Sequence, residues 1–206
     1  MNLTPVHIAA LDKAETQMFH CDFCPYLELK AMLAAGNPLD RDRFQILFHD
    51  YYGLGIGGLT PEFEEKFFRL LFGGNVIVNG QPDYGGILRA LYKIPRKKGD
   101  LALPLSFVSK LVAIHREDHP IYDSRVLEFF NAKAPLSIKD ADPQPRIDWY
   151  VNFLNEVAVD YATWAHNPSV TPILSRLKAR DPRLGQCHTV RLMDFLVWKV
   201  GRQKLL

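Results

Sequence analysis

The chain has 206 residues, 48% of them hydrophobic and 12% aromatic, which is enough to fill a sizeable core and too much for a disordered polymer. Twenty-five basic against 23 acidic side chains leave a formal charge of only +2, which excludes a uniformly cationic polyanion binder. Three cysteines make no disulfide framework, and no run approaches the ~18 apolar residues of a membrane span. The opening MNLTPVHIAALDKAETQMF lacks the charged start and long apolar stretch of a secretory signal. A soluble, cytoplasmic protein is expected.

Helical periodicity dominates in chain order. A helix is expected over Thr16 to Ala35, burying Phe19, Phe23, Leu27 and Met32, with Pro25 as the point where it would divide. Asp40 to Tyr52 follows, with Phe44, Leu47, Phe48 and Tyr51 spaced three and four apart. Gly53-Leu54-Gly55-Ile56-Gly57-Gly58 breaks the chain; a helix precedes it, so it reads as a connection and not as a dinucleotide loop, which needs a strand there. Thr60-Pro61 reads as an N-cap with proline at the first helical position, ahead of Phe63, Phe67, Leu70 and Leu71; Gly73 and Gly74 end that helix.

Asn75 to Gly80 is the one strand-like run, and Asp83 to Ile94 returns to helix. Arg96-Lys97-Lys98-Gly99-Asp100 is a basic turn, and Leu105 to His115 is a compact apolar helix. Asp123, after His119-Pro120-Ile121-Tyr122, stands as N-cap of a helix carrying Val126, Phe129 and Phe130. Residues 131 to 145 are polar and proline-bearing and read as a connecting loop. Arg146 to His166, Pro168 to Ala179 and Thr189 to Gly201 are the closing helices. The fold class is therefore all-α, one multi-helix domain over residues 1 to 206, with the 131 to 145 loop as the join if it forms two lobes.

Charge is uneven along this frame. Arg89 to Arg116 holds seven basic residues and one acid, and Arg176 to Leu206 holds eight basic residues and two acids. These blocks form either one phosphate-facing surface or two separate solvated faces. Lys110 is the lone charge in the apolar run Leu103 to Ile114. A lysine that is partly desolvated near a helix N-terminus is pushed towards the neutral, nucleophilic amine. The alternatives are a buried ion pair with Asp123 or a side chain that snorkels to the surface. His20-Cys21-Asp22-Phe23-Cys24 with distant Cys187-His188 offers zinc-type ligands at a weak spacing, and cysteine also serves as a small buried hydrophobe. His115, His119, His166 and His188 read as surface or capping histidines, and no metal or other cofactor is expected.

Lysine in a short helix, a turn, then aspartate heading the next helix is an order that resembles the helix–hairpin–helix DNA glycosylase superfamily, the group containing endonuclease III-like and 8-oxoguanine glycosylases. Ser109-Lys110 is similar to the lysine end of its hairpin motif, Tyr122-Asp123-Ser124-Arg125-Val126 to its aspartate segment, and Leu103-Pro104 to the Leu-Pro opening the hairpin. The closing run Arg191 to Gly201 resembles the end of divergent relatives. Leu105-Ser106-Phe107-Val108 stands where Gly-Val-Gly belongs, so the hairpin glycines are missing.

The resemblance implies a glycosylase-like helical arrangement and base excision from damaged DNA. Lys110 would be the nucleophile and Asp123 the residue stabilising charge on the sugar. Arg96, Lys97, Lys98, Ser109, Arg125 and Arg191 would be nucleic-acid contacts, with Tyr122, Phe107 or Trp198 stacking on the flipped base. The alternative it implies is a catalytically inactive nucleic-acid-binding or interaction protein of the same fold. A helical scaffold with no nucleic-acid partner is the third reading.

Overall fold

The computed structural model describes residues 2–36, 40–54, 59–73, 76–135 and 142–204. Ten α-helices and one two-stranded antiparallel sheet are found among them, so the protein is all-α. The chain divides into two compact units, one of residues 1–23 with 116–206 and the other of 24–115. The 131–145 stretch falls inside the first unit and is not where the units meet along the chain; residues 136–141 lie outside the described ones.

The first unit contains α1 (Pro5–Thr16), the start of α2 (His20–Ala35), α7 (Ser124–Phe129), α8 (Gln144–Ala165), α9 (Thr171–Arg180), a 3-10 turn (Pro182–Gln186) and α10 (Thr189–Gln203). Helix α1 was not expected. Its cause is local: Thr4 caps the first turn reciprocally with His7, and Pro5 takes the first helical position, where no amide donor is needed. Helix α10 is the centre of this unit and packs against α1, α7, α8 and α9. Nearly all of its length is buried, Val190, Leu192, Met193, Leu196, Val197 and Val200 included. Each such side chain contributes roughly 1.5–3 kcal/mol of burial. Phe129, Phe130, Tyr161 and Trp164 join α7 to α8 through ring pairs 5.3–6.0 Å apart.

Gly201 sets how closely α7 approaches α10. A Cβ there would lie 2.5 Å from Arg125 Cβ and 3.2 Å from Arg125 Cα, so only hydrogen fits between the two helices. The polar face of this unit is tied by ion pairs: Arg176 and Arg180 both bind the buried Glu15, and Lys199 binds the buried Asp22 at 2.6 Å. Phe19, expected inside, is 67% exposed, because α2 begins only at His20 and Phe19 belongs to the turn before it.

The second unit contains the rest of α2, α3 (Arg41–Tyr52), α4 (Pro61–Gly73), the strands β1 (Ile77–Val78) and β2 (Gln81–Pro82), α5 (Tyr84–Tyr92) and α6 (Leu105–His115). Pro25 lies within α2 and does not end it. Helix α3 stops at Gly53, whose φ of 65° gives the left-handed C-cap; residues 55–58 of the glycine-rich stretch lie outside the described ones. The core is an aromatic cluster of Phe44, Phe48, Phe67 and Phe68, with ring centroids 5.3–5.9 Å apart. Helix α5 packs on α4 and α6. Between α5 and α6 the basic stretch forms a tight turn, with Gly99 N–H donating to Arg96 O at 2.8 Å and Arg96 N–H to Asp100 O at 3.0 Å. Gly99 supplies the φ of 80° that this turn needs. Leu105 to Val108 form the first turn of α6, not a hairpin. No described helix is long and apolar enough to cross a membrane.

Candidate functional site

The chemistry suggested by the sequence rests on Asp123, in the first unit, and Lys110, in the second. Asp123 is the N-cap of α7 in extended conformation. Its Oδ1 accepts from the amides of Arg125 and Val126, both at 3.0 Å, and satisfies two of the donors a helix start leaves open. Its Oδ2 accepts no hydrogen bond from the described residues, and the side chain is half-buried. One oxygen is thus occupied by structure while the other remains.

Two anchors hold the backbone leading into Asp123. Tyr122 is buried, its ring edge-on to Tyr150 at 5.1 Å and to Phe153 at 6.0 Å; it is a core residue and not the base-stacking residue considered from the sequence. The Ile121 amide donates to both oxygens of Asp194, at 3.3 and 3.1 Å. Asp194 lies on α10 and is paired with Arg191 one turn earlier, and Arg191 Nη2 donates to His119 O at 2.9 Å. Arg191 is 0% exposed and Asp194 4%.

Burial pushes the Asp194 carboxyl up to about 7, against the attraction of Arg191 and with help from the negative charge of Asp123. Tyr161, from α8, is fully buried beside these two carboxylates, and burial followed by their charges raises its pKa. Among the described residues its hydroxyl has no partner at normal hydrogen-bond geometry, although it lies close enough to Asp194 for that carboxylate to act on it. Burial also lowers the pKa of His119, with Asp118 opposing and Arg116 and Arg191 reinforcing the shift.

Lys110 stands in the middle of α6, not near its N-terminus. The amine donates to Tyr52 O at 3.3 Å and lies 5.6 Å and 5.7 Å from the ring centroids of Tyr52 and Phe107. Tyr52 is the last residue of α3, so the amine faces a helix C-terminus, where the dipole favours a cation. That is the opposite of the N-terminal environment expected. Phe107 packs on Phe63 at 6.0 Å beneath it.

The expected nucleic-acid contacts divide by burial. Lys97 and Lys98 are exposed and Arg96 half-exposed, in the tight turn before α6. Ser109 is buried and donates to Ser106 O at 3.0 Å, one turn back in α6. Arg191 is an internal charge. Neither Ser109 nor Arg191 presents a surface to a phosphate, because helix packing covers both. Arg125 stacks on Trp198 at 4.3 Å, and Arg202 lies 5.2 Å from the same ring. Much of the second basic block is engaged in ion pairs: Arg176 with Asp12 and Glu15, Arg180 with Glu15, Arg183 with Asp181, and Lys199 and Arg202 with Asp22.

Cys21 is exposed, and Cys24 and Cys187 are half-buried. Among the described residues no group of three or more histidine, cysteine, aspartate or glutamate side chains is placed to hold a metal ion. His188 is the N-cap of α10, its Nδ1 accepting from Val190 N–H at 3.3 Å. His166 is the C-cap of α8.

The protein matches no family model, no curated protein and no solved structure in the comparisons made with each. The chemistry therefore stands on these residues and their surroundings. The sequence reading places Arg191 among the nucleic-acid contacts and gives Asp194 and Tyr161 no role in a site. The signal for Asp194 was present: it is the one acid in the apolar run Leu192 to Val197, the same pattern that singles out Lys110.

Proposed function

We propose that the protein is a divergent DNA glycosylase-like enzyme that excises a base from damaged DNA, with Lys110 as nucleophile and Asp123 as the charge-stabilising carboxylate. The supporting observation is Asp123 itself: it caps α7 through one oxygen and keeps the other without a hydrogen bond from the described residues. A carboxylate fixed at a helix start, with one oxygen remaining, is suited to a sugar carbon that becomes positive as its base departs. In the step proposed, deprotonated Lys110 Nζ bonds to C1′ as the glycosidic C–N bond breaks. The electron pair leaves with the base, which takes up a proton. Loss of the proton from nitrogen and opening of the sugar ring then give a Schiff base.

The exposed turn with Arg96, Lys97 and Lys98 supplies the phosphate contacts in this reading, and Arg125 beside Trp198 supplies a further cation at the start of α7. The test is base release from oligonucleotides carrying oxidised, alkylated or deaminated bases, with Asp123→Asn as the comparison. Asparagine caps a helix about as well as aspartate, so the variant keeps the fold and loses the charge. Release should fall by about 100-fold or more, the scale of losing one electrostatic group in a preorganised site. Release at the wild-type rate would remove Asp123 from the chemistry.

A second reading, nucleic-acid binding without catalysis, draws on Lys110. Its amine is engaged with Tyr52 O and two aromatic faces at a helix C-terminus, contacts that hold a side chain in a structural role. Salt-sensitive DNA binding with no base release across the panel would favour it.

A further inference from the structure

We propose that Asp194 and Arg191 are positioning residues for Asp123, holding the backbone ahead of α7 so that the remaining carboxylate oxygen points in one direction. The inference rests on the reading that Asp123 acts on the sugar.

The segment from His119 to Asp123 belongs to no helix or strand, so no ladder of backbone hydrogen bonds fixes it. Its polar groups are fixed from α10 instead. Asp194 receives the Ile121 amide on both oxygens, and Arg191 donates to His119 O, so α10 grips both sides of Pro120. Tyr122 then anchors the next residue among the rings of α8. Asp123 follows with little backbone freedom left. Gly201, further along α10, admits Arg125 at the far side of the cap. One helix thus locates the chain before and after the capping aspartate.

The location of the pair argues against a purely space-filling role. An arginine and an aspartate in a fully buried site carry a desolvation cost that apolar residues of similar size avoid. Asp194 also senses Asp123 directly, since the charge of Asp123 contributes to raising its pKa. The groups facing Asp194 are Arg191 on its own helix, Tyr161 from α8, the Ile121 amide and Asp123.

The test uses the full chain, isotope-labelled, as wild type, Asp194→Ala and Asp194→Asn. Amide exchange of Ile121 and of Leu154 in α8 is followed by NMR; kcat and KM for base release are measured alongside. Asp194→Ala should speed Ile121 exchange by about tenfold or more and leave Leu154 unchanged. It should also lower kcat by about 100-fold at constant KM. Asp194→Asn, which keeps an acceptor for the Ile121 amide, should restore the exchange rate and most of kcat. If Asp194→Ala does not fold, Arg191→Lys, which keeps the charge but loses the fork reaching His119 O, carries the same expectation.

Ile121 exchange unchanged in folded variants would overturn the proposal. So would wild-type kcat in a variant whose Ile121 amide has loosened. No base release from the wild type, with Ile121 exchange shifting as expected, would instead defeat the function proposed for Asp123 and leave the positioning intact.

Discussion

At the residue scale, Asp194 couples the fold to pH. Its folded pKa of about 7 lies above the ordinary aspartate range. Between roughly pH 4 and pH 7 the folded state therefore binds a proton that the unfolded state has released. The stability linked to this proton is fully present below the unfolded pKa and is lost as pH rises through the folded one, at up to about 1.4 kcal/mol per pH unit. His119, lowered by burial, acts in the opposite sense: its contribution is lost as pH falls below its unfolded value. Urea denaturation of wild type and Asp194→Asn across pH 5 to 8 separates the two, because the histidine is common to both. The wild type should lose stability relative to the variant as pH rises towards 7, with the difference level above that. A difference independent of pH would mean that Asp194 is ionised throughout. The residue was legible as a lone acid in an apolar helix, but its partner groups come from residues some seventy positions away and from α8, and no local pattern connects them.

At the scale of elements, the interface between α7 and α10 makes the sharpest demand on a single position. Replacing Gly201 by alanine would gain about 1 kcal/mol of helix propensity. The added Cβ would meet Arg125 at 2.5 Å, with its backbone only 3.2 Å away, and overpacking of this kind costs about 1–3 kcal/mol. Gly201→Ala should therefore lower the urea midpoint despite its better propensity, and a raised midpoint would show that α7 shifts freely. Most elements were legible because caps and periodicity agree: Thr60-Pro61 opens α4, Asp83 caps α5 and Asp123 caps α7. The same signal stands at Thr4-Pro5, yet α1 has little periodicity to read because the apolar positions that follow are small, chiefly alanine. Phe19 was misplaced inside for a related reason: a helix boundary off by four residues turns a surface ring into a core one.

At the scale of the molecule, the even charge balance conceals an uneven one. The cations after Arg176 are largely engaged by Asp12, Glu15, Asp22, Asp181 and Asp194, whereas Lys97 and Lys98 project from an exposed turn. The sequence shows two equal basic blocks, because ion pairs with residues up to about 180 positions apart are invisible to a local count. If the turn contacts phosphates, the double variant Lys97→Glu, Lys98→Glu should weaken DNA binding and reduce the slope of log K against log salt by about 2. An unchanged slope would place the contact elsewhere.

Trapping decides whether Lys110 is a nucleophile. Wild type and Lys110→Ala are incubated with the damaged oligonucleotides in the presence of sodium borohydride, which reduces a Schiff base to a stable amine. A covalent protein–DNA adduct should form with the wild type and none with Lys110→Ala. Folded wild-type protein that forms no adduct and releases no base, or an adduct that persists in Lys110→Ala, would contradict it.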